Sequence, residues 1–100
     1  MSKTMPIRTQ RAAERLGVHI ATWRKLLNLT ADQVAQRADI SRGTLRRLES
    51  GETVGLDVVL AVTRALGVMD QLVDAVDPWE SDIGRARAGA VLPKRVRNRD

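Results

Sequence analysis

The stretch SRGTLRRLESG, residues 41–51, places three arginines and a glycine inside what reads as a single short helix. At about 100° per residue, Leu45 and Leu48 lie within about 60° of each other, and Thr44 extends that side. Arg42, Arg46, Ser50, Gly43 and Arg47 fall, in that angular order, across an arc of about 140° on the other side. One face is built to bury. The other is basic, with a gap at Gly43 where a side chain would stand. Ser41 is a good N-cap, because its hydroxyl accepts from a first-turn N–H that the helix leaves free. Gly51 suits the position just past the helix end, where the backbone turns left-handed.

Upstream, Thr30-Ala31-Asp32-Gln33 is a capping-box pattern, hydroxyl acceptor first and Gln three residues on. It opens a short helix over 31–38 with Val34, Ala35 and Ala38 on its apolar side, and Asp39-Ile40 forms the turn into the arginine helix. Before it, the longest helix is predicted from about Arg8 to Asn28. There Leu16, Ile20, Trp23 and Leu27 recur at helical spacing as a core stripe, with Ala12 and Ala13 upstream.

Downstream, residues 52–55 are a connector. Leu56, Val59, Leu60, Val62, Thr63 and Leu66 outline a fourth helix closed by Gly67. Asp70 is placed to cap a fifth, with Leu72, Val73 and Val76 inward and Pro78 stopping it. No strand pattern appears, so the fold class is all-α, with five helices. Past Trp79 the sequence SDIGRARAGAVLPKRVRNRD is rich in Gly, Ala and Arg and has no sustained apolar period. It reads as a flexible basic tail, with Ala90-Val91-Leu92 able to order on a partner. The expected organisation is one domain over 8–79 and a tail over 80–100.

Composition narrows the function. The chain has 100 residues, 43% of them apolar, and its only aromatics are two tryptophans, which demands an aliphatic core. Without Cys there is no disulfide or thiolate metal site, and one His cannot assemble a multi-histidine site. No metal or cofactor is expected. The same poverty argues against an enzyme, since neither a nucleophile triad nor a phosphate-cradling glycine loop can be built. The acids Asp70, Asp74, Asp77, Glu80 and Asp82 lack the order and glycine of a calcium loop. The longest apolar run, residues 58–62, is far too short for a membrane span, and no signal-peptide pattern stands at the N-terminus, so a cytoplasmic protein is expected.

Charge is distributed by segment. Residues 1–51 carry a net +6, residues 52–82 a net −6, and residues 83–100 a net +5. Scattered around each helix, such charge would be mere solvated surface. In residues 41–51 it is gathered on one face.

Two short helices joined by a tight turn, the second with one basic face, meet the needs of a DNA-reading helix-turn-helix. The stretches LTADQVAQRADISRGTLRRLESG and LDVVLAVTRALGV resemble the Xre-type phage-repressor family. With the helix before them they cover about residues 16–68. Ala35 matches the family's small residue where the two short helices cross, Ile40 and Leu45 the apolar pair around the turn, and Leu48 the core position that follows. Glu49 matches an acid that pairs with a first-helix arginine, here Arg24.

The resemblance also implies a site. Arg42, Gly43 and Arg47 stand at base-reading places. Arg46, Thr30, Ser41, Thr53, Arg24 and Lys25 are candidates for the DNA backbone. Arginine suits guanine because its planar fork meets O6 and N7 with two bonds. Gly43 lets the helix approach the groove floor, or leaves room for the arginines beside it; the bland alternative is a helix-interior glycine that costs about 1 kcal/mol for nothing. Ala31 departs from the family's usual Gln, and Glu52-Thr53-Val54 from its usual basic connector.

Relatives read two half-sites, which implies a homodimeric repressor on an operator duplex. Leu66, Val68, Met69, Leu72, Val73 and Val76 exceed what a three-helix reader needs and are candidates for the two-fold interface. The acidic helix and basic tail also resemble the DNA-binding antitoxins of Hip-type toxin–antitoxin operons. That alternative implies a kinase-like toxin partner as well as DNA. The tail reads equally as a solvated extension with non-specific DNA affinity.

Overall fold

The computed structural model describes residues 5–92. Among them lie six α-helices and no strand: α1 Ile7–Leu26, α2 Ala31–Ala38, α3 Arg42–Glu49, α4 Leu56–Leu66, α5 Met69–Asp74 and α6 Asp82–Val91. The chain is all-α, and it divides at the start of α5 into two compact units, ahead of the 79/80 boundary that composition draws.

The first unit holds the core. Leu45 of α3, Val34 of α2 and Val62 of α4 have the most completely buried side chains, joined by Ile20, Ala35, Ala38, Leu48 and Leu66. The small residues Ala35 and Ala38 allow α2 to pack closely on α3 and α4. Thr63 is the buried polar residue, and its hydroxyl donates back to the Val59 carbonyl at 2.9 Å, so burial leaves it satisfied.

Caps at both ends keep α2 and α3 short. The Thr30 hydroxyl accepts from Gln33 N–H at 3.0 Å, and Gln33 Oε1 accepts from Thr30 N–H at 2.8 Å. At α3, Ser41 Oγ accepts from Thr44 N–H at 3.0 Å. The four C-terminal ends share one device. Asn28, Asp39, Gly51 and Gly67 each take positive φ, between 57° and 81°. In each case the next residue's N–H reaches back to the carbonyl five residues before it, as in Ile40 N–H to Ala35 O and Glu52 N–H to Arg47 O. The residues past three of these turns, Leu29, Ile40 and Val68, are apolar and pack on the core. The fourth, Glu52, is exposed.

Two features of the first unit differ from expectation. Trp23 and Leu27 are 40% and 43% exposed, at the rim of the core and not within it. For Trp23 the reason is Gly17, which the apolar period passes over; Leu27 lies past the end of α1, as its C-cap. A Cβ at Gly17 would overlap the carbonyl oxygen of Glu49 and come within 2.7 Å of that of Leu48. α1 thus touches the backbone of α3 at Gly17, and Trp23 lies about 120° round the helix from that contact. Leu66 is the other correction. It is 5% exposed and belongs to the protomer's own core, so it is not free for a two-fold interface.

The second unit also departs from the sequence reading. α5 has six residues and buries none of them; Val73 and Val76 are exposed, not inward. Asp70 lies in the first turn of α5, behind Met69, and does not cap it. The capping acid is Asp77, whose carboxylate accepts from Trp79 N–H at 2.9 Å to open a 3-10 turn, Pro78–Glu80. Residues 82–91, about half of the expected flexible tail, form α6. Its cap is Ser81, whose Oγ accepts from Gly84 N–H at 3.0 Å. Gly84 lies flat on Pro78, where a Cβ would come within 2.7 Å of the Pro78 carbonyl carbon. Arg85 then donates to the Trp79 carbonyl at 2.6 Å. No residue of α6 is buried, so the helix rests on caps and on alanine and arginine propensity, which hydrophobic periodicity does not register. The last part of the expected tail, residues 93–100, lies outside the described residues.

Candidate nucleic-acid interface

The candidate residues gather on α3 and on the segments that flank it. Arg42 is the first residue of α3 and is exposed. Its Nη1 donates to Asp32 Oδ1 at 2.8 Å, across the turn, so the first turns of α2 and α3 lie side by side. Gly43 follows, with open space before it: an added Cβ would find only Ser41 Oγ within 4 Å, at 3.9 Å. Arg46 is exposed and has no hydrogen-bond or ion-pair partner among the described residues. Arg47 is exposed as well, yet Nη2 donates to the Thr53 carbonyl at 2.8 Å and Nε lies 3.9 Å from Glu52 Oε1. Both candidate base-reading arginines are therefore held by acceptors of the chain itself, one from each flank of α3.

Among the backbone candidates, the Thr30 and Ser41 hydroxyls serve as helix caps, and each is exposed. Lys25 is exposed in the last turn of α1. Thr53 is exposed, with its carbonyl engaged by Arg47.

Arg24 stands apart. Its Nε donates to Glu49 Oε2 at 2.9 Å and its Nη2 to Oε1 at 3.0 Å, a two-bond fork with side chains 16% and 15% exposed. The hydrogen bond to Glu49 raises the Arg24 pKa above the ordinary arginine value, burial opposes this, and the Glu49 charge adds to the rise. With its fork turned to Glu49, Arg24 is spent on holding α1 against α3 and fits a phosphate contact poorly. Gly51 serves the same contact: its φ is +81°, and a Cβ there would lie 2.7 Å from Glu14 Cγ. Gln10 donates to the Gly51 carbonyl at 3.3 Å.

A family model described as a helix-turn-helix domain matches residues 15–76, more than half of the chain. The chain belongs to that family. The helix-turn-helix is α2 and α3 with the left-handed turn at Asp39 between them, and α1 and α4 complete the core beneath it. No curated protein matches the chain. No helix among the described residues is long and apolar enough to cross a membrane. Among the same residues no group of three or more His, Cys, Asp or Glu side chains converges as a metal site.

The helix-turn-helix frame rests on a pair whose removal has a measurable cost. Arg24→Ala or Glu49→Ala leaves a largely covered charge without its partner, at a cost of about 2–3 kcal/mol, below that of a fully buried pair. In a domain of this size the melting temperature falls by about 10–20 °C. Arg42→Ala breaks only an exposed contact and is expected to shift it by no more than a few degrees. Thermal melts of the three variants separate the frame from the exposed basic face of α3; if all three melt alike, the Arg24–Glu49 pair is surface decoration.

Proposed function

We propose that this protein is a sequence-specific double-stranded DNA-binding regulator of the cytoplasm, a homodimeric repressor with no catalytic role. The observation that carries the reading is the first turn of α3: an arginine, then a glycine with open space above it, at the end of the second helix that enters the major groove in such domains. Arg42, Gly43 and Arg47 take the base-reading places. Arg46, Thr30, Ser41, Thr53 and Lys25 serve the phosphates, with backbone N–H groups of the first turns of α2 and α3 beside them.

One short helix in one groove gives little area, so two copies read half-sites about 34 Å apart. Leu66 is not available, but Val73 and Val76 are exposed, with Leu72 and Met69 partly so, and they supply apolar surface for the pairing. Selection from a randomised duplex pool tests the DNA reading and yields the operator, while sedimentation at micromolar concentration tests the dimer. Recovery of a two-fold symmetric sequence is expected. An 11 kDa species alone, with and without the selected duplex, counts decisively against the dimer.

Gly43 gives a separate check. Gly43→Leu is expected to leave the melting temperature unchanged or a few degrees higher, because the site is open and leucine is the better helix former by about 0.8–1 kcal/mol. Affinity for the selected duplex falls tenfold or more in the same variant, on the order of 1.4 kcal/mol, as the side chain meets the groove floor. Equal affinity places Gly43 away from the DNA.

A second reading, that of an antitoxin, draws on Trp79 and Ile83, exposed apolar side chains of the second unit that neither the DNA contact nor the pairing surface uses. A kinase-like protein encoded in the neighbouring frame and co-purifying with this chain supports that role. DNA binding is compatible with it.

A further inference from the structure

Arg42 and Asp32 form a pair that the fold does not need. Asp32 is the second residue of α2 and Arg42 the first of α3, and their side chains are 75% and 60% exposed. Exposed ion pairs add little to folding, because water solvates the separated charges almost as well. The contact therefore matters for where it leaves the guanidinium. Nη1 is committed to Asp32 Oδ1 at 2.8 Å, and Nε and Nη2 have no partner among the described residues. Guanine O6 and N7 require two parallel N–H donors from one edge of the fork. With Nη1 held, the Nε–Nη2 edge is the one left to meet them.

Resting on the DNA-reading role proposed above, we infer that Asp32 is a positioning residue that sets base specificity by holding the Arg42 guanidinium in its reading orientation before DNA arrives. Holding an arginine in place removes rotamer freedom that binding would otherwise have to remove, so the correct base gains more from the contact than an incorrect one. The carboxylate also sharpens the choice from the opposite side. It puts a negative charge among the first turns of α2 and α3, where phosphates approach, and that charge is offset only while Arg42 is engaged with it. DNA in the wrong register, which draws Arg42 away towards a phosphate, meets the exposed carboxylate. Asp32 thus lowers affinity for DNA in general and raises the preference for one base.

The test uses the full chain and the duplex selected by the wild-type protein, with single-base variants at the position that Arg42→Ala relaxes. Asp32→Ala is expected to lower discrimination at that position about tenfold while raising affinity for unrelated duplex two- to fivefold at low salt. Asp32→Asn keeps an oxygen acceptor for Nη1 and is expected to restore most of the base preference while sharing the gain in unrelated affinity. Both variants should melt within about 5 °C of wild type, since the pair is exposed. An unchanged preference in Asp32→Ala, with Arg42→Ala still relaxing that position, overturns the inference and leaves the DNA reading standing. Loss in Asp32→Asn as complete as in Asp32→Ala also overturns it. If the wild-type protein selects no duplex at all, the DNA reading falls and this inference falls with it.

Discussion

Gly17→Ala is expected to destabilise the fold by about 2–3 kcal/mol net and to lower the melting temperature by about 10–20 °C, although it adds a single methyl group to a helix interior. On propensity alone the change would stabilise by about 1 kcal/mol. Packing overrides that gain. The new Cβ would overlap the Glu49 carbonyl oxygen and lie 2.7 Å from the Leu48 carbonyl oxygen and from the Glu49 carbonyl carbon. These are backbone atoms near the end of α3, with no rotamer to move out of the way. α1 must back off, and the Arg24–Glu49 fork, at 2.9 and 3.0 Å, stretches with it. Gly17→Ala and Glu49→Ala should therefore cost less together than the sum of their separate costs, because the first already loosens the second. Thermal melts of the two single variants and the double variant check this. A rise in melting temperature for Gly17→Ala, as at the open Gly43, means that α1 does not touch α3 there.

Gly17 and Gly43, helix-interior glycines alike in sequence, show what was legible and what was not. Around α3, cap, apolar pair and terminal glycine all specify the same helix, so its ends and its buried face follow from residues 41–51 without a structure. The capping box at Thr30 and the glycine at 67 do the same for α2 and α4. An apolar stripe is weaker information. It says which side of α1 faces inward on average, but the closest approach is set by the smallest residue, and Gly17 contributes nothing to a hydrophobic period. Trp23 sits at the rim for that reason. Glycine within an otherwise strongly helical pattern was the available signal for the contact.

α6 escapes the sequence for the converse reason. It buries no side chain, so periodicity has nothing to detect, and its start depends on Ser81, Gly84 and Arg85 closing on the Pro78–Glu80 turn. In the candidate site, the basic face is legible because it needs only a helical wheel. The acceptors that hold Arg42 and Arg47 are not, because Asp32 and Thr53 reach them from neighbouring segments. A first-turn acid such as Asp32 reads from sequence as a partner of the helix dipole and nothing more.

The largest effect on function is expected from the arginines of α3, and it should differ in kind among them. Arg42→Ala and Arg47→Ala are expected to cost about 1–3 kcal/mol per half-site each, concentrated at one base pair, because a two-bond arginine–guanine contact carries that much discrimination. Over the two half-sites of a dimer the loss is about 2–6 kcal/mol, at least on the order of 30-fold in affinity. Arg46→Ala should instead weaken every duplex alike and reduce the salt slope by about one unit per half-site, the signature of a lost phosphate contact. The free protein makes Arg47 the sharper case. Its Nη2 and Nε are turned to Thr53 and Glu52, so reading a base requires the fork to leave the Thr53 carbonyl or to work from the Nη1 side. Glu52→Gln should ease that release without touching the base, raising affinity a few-fold for the selected sequence while leaving the preferred base unchanged. Anisotropy titrations of these variants against the selected duplex and its single-base changes, at two salt concentrations, distinguish the roles. If Arg42→Ala and Arg47→Ala leave the preferred sequence as it was and merely flatten the salt dependence, neither arginine reads a base, and the exposed face of α3 is a basic docking surface.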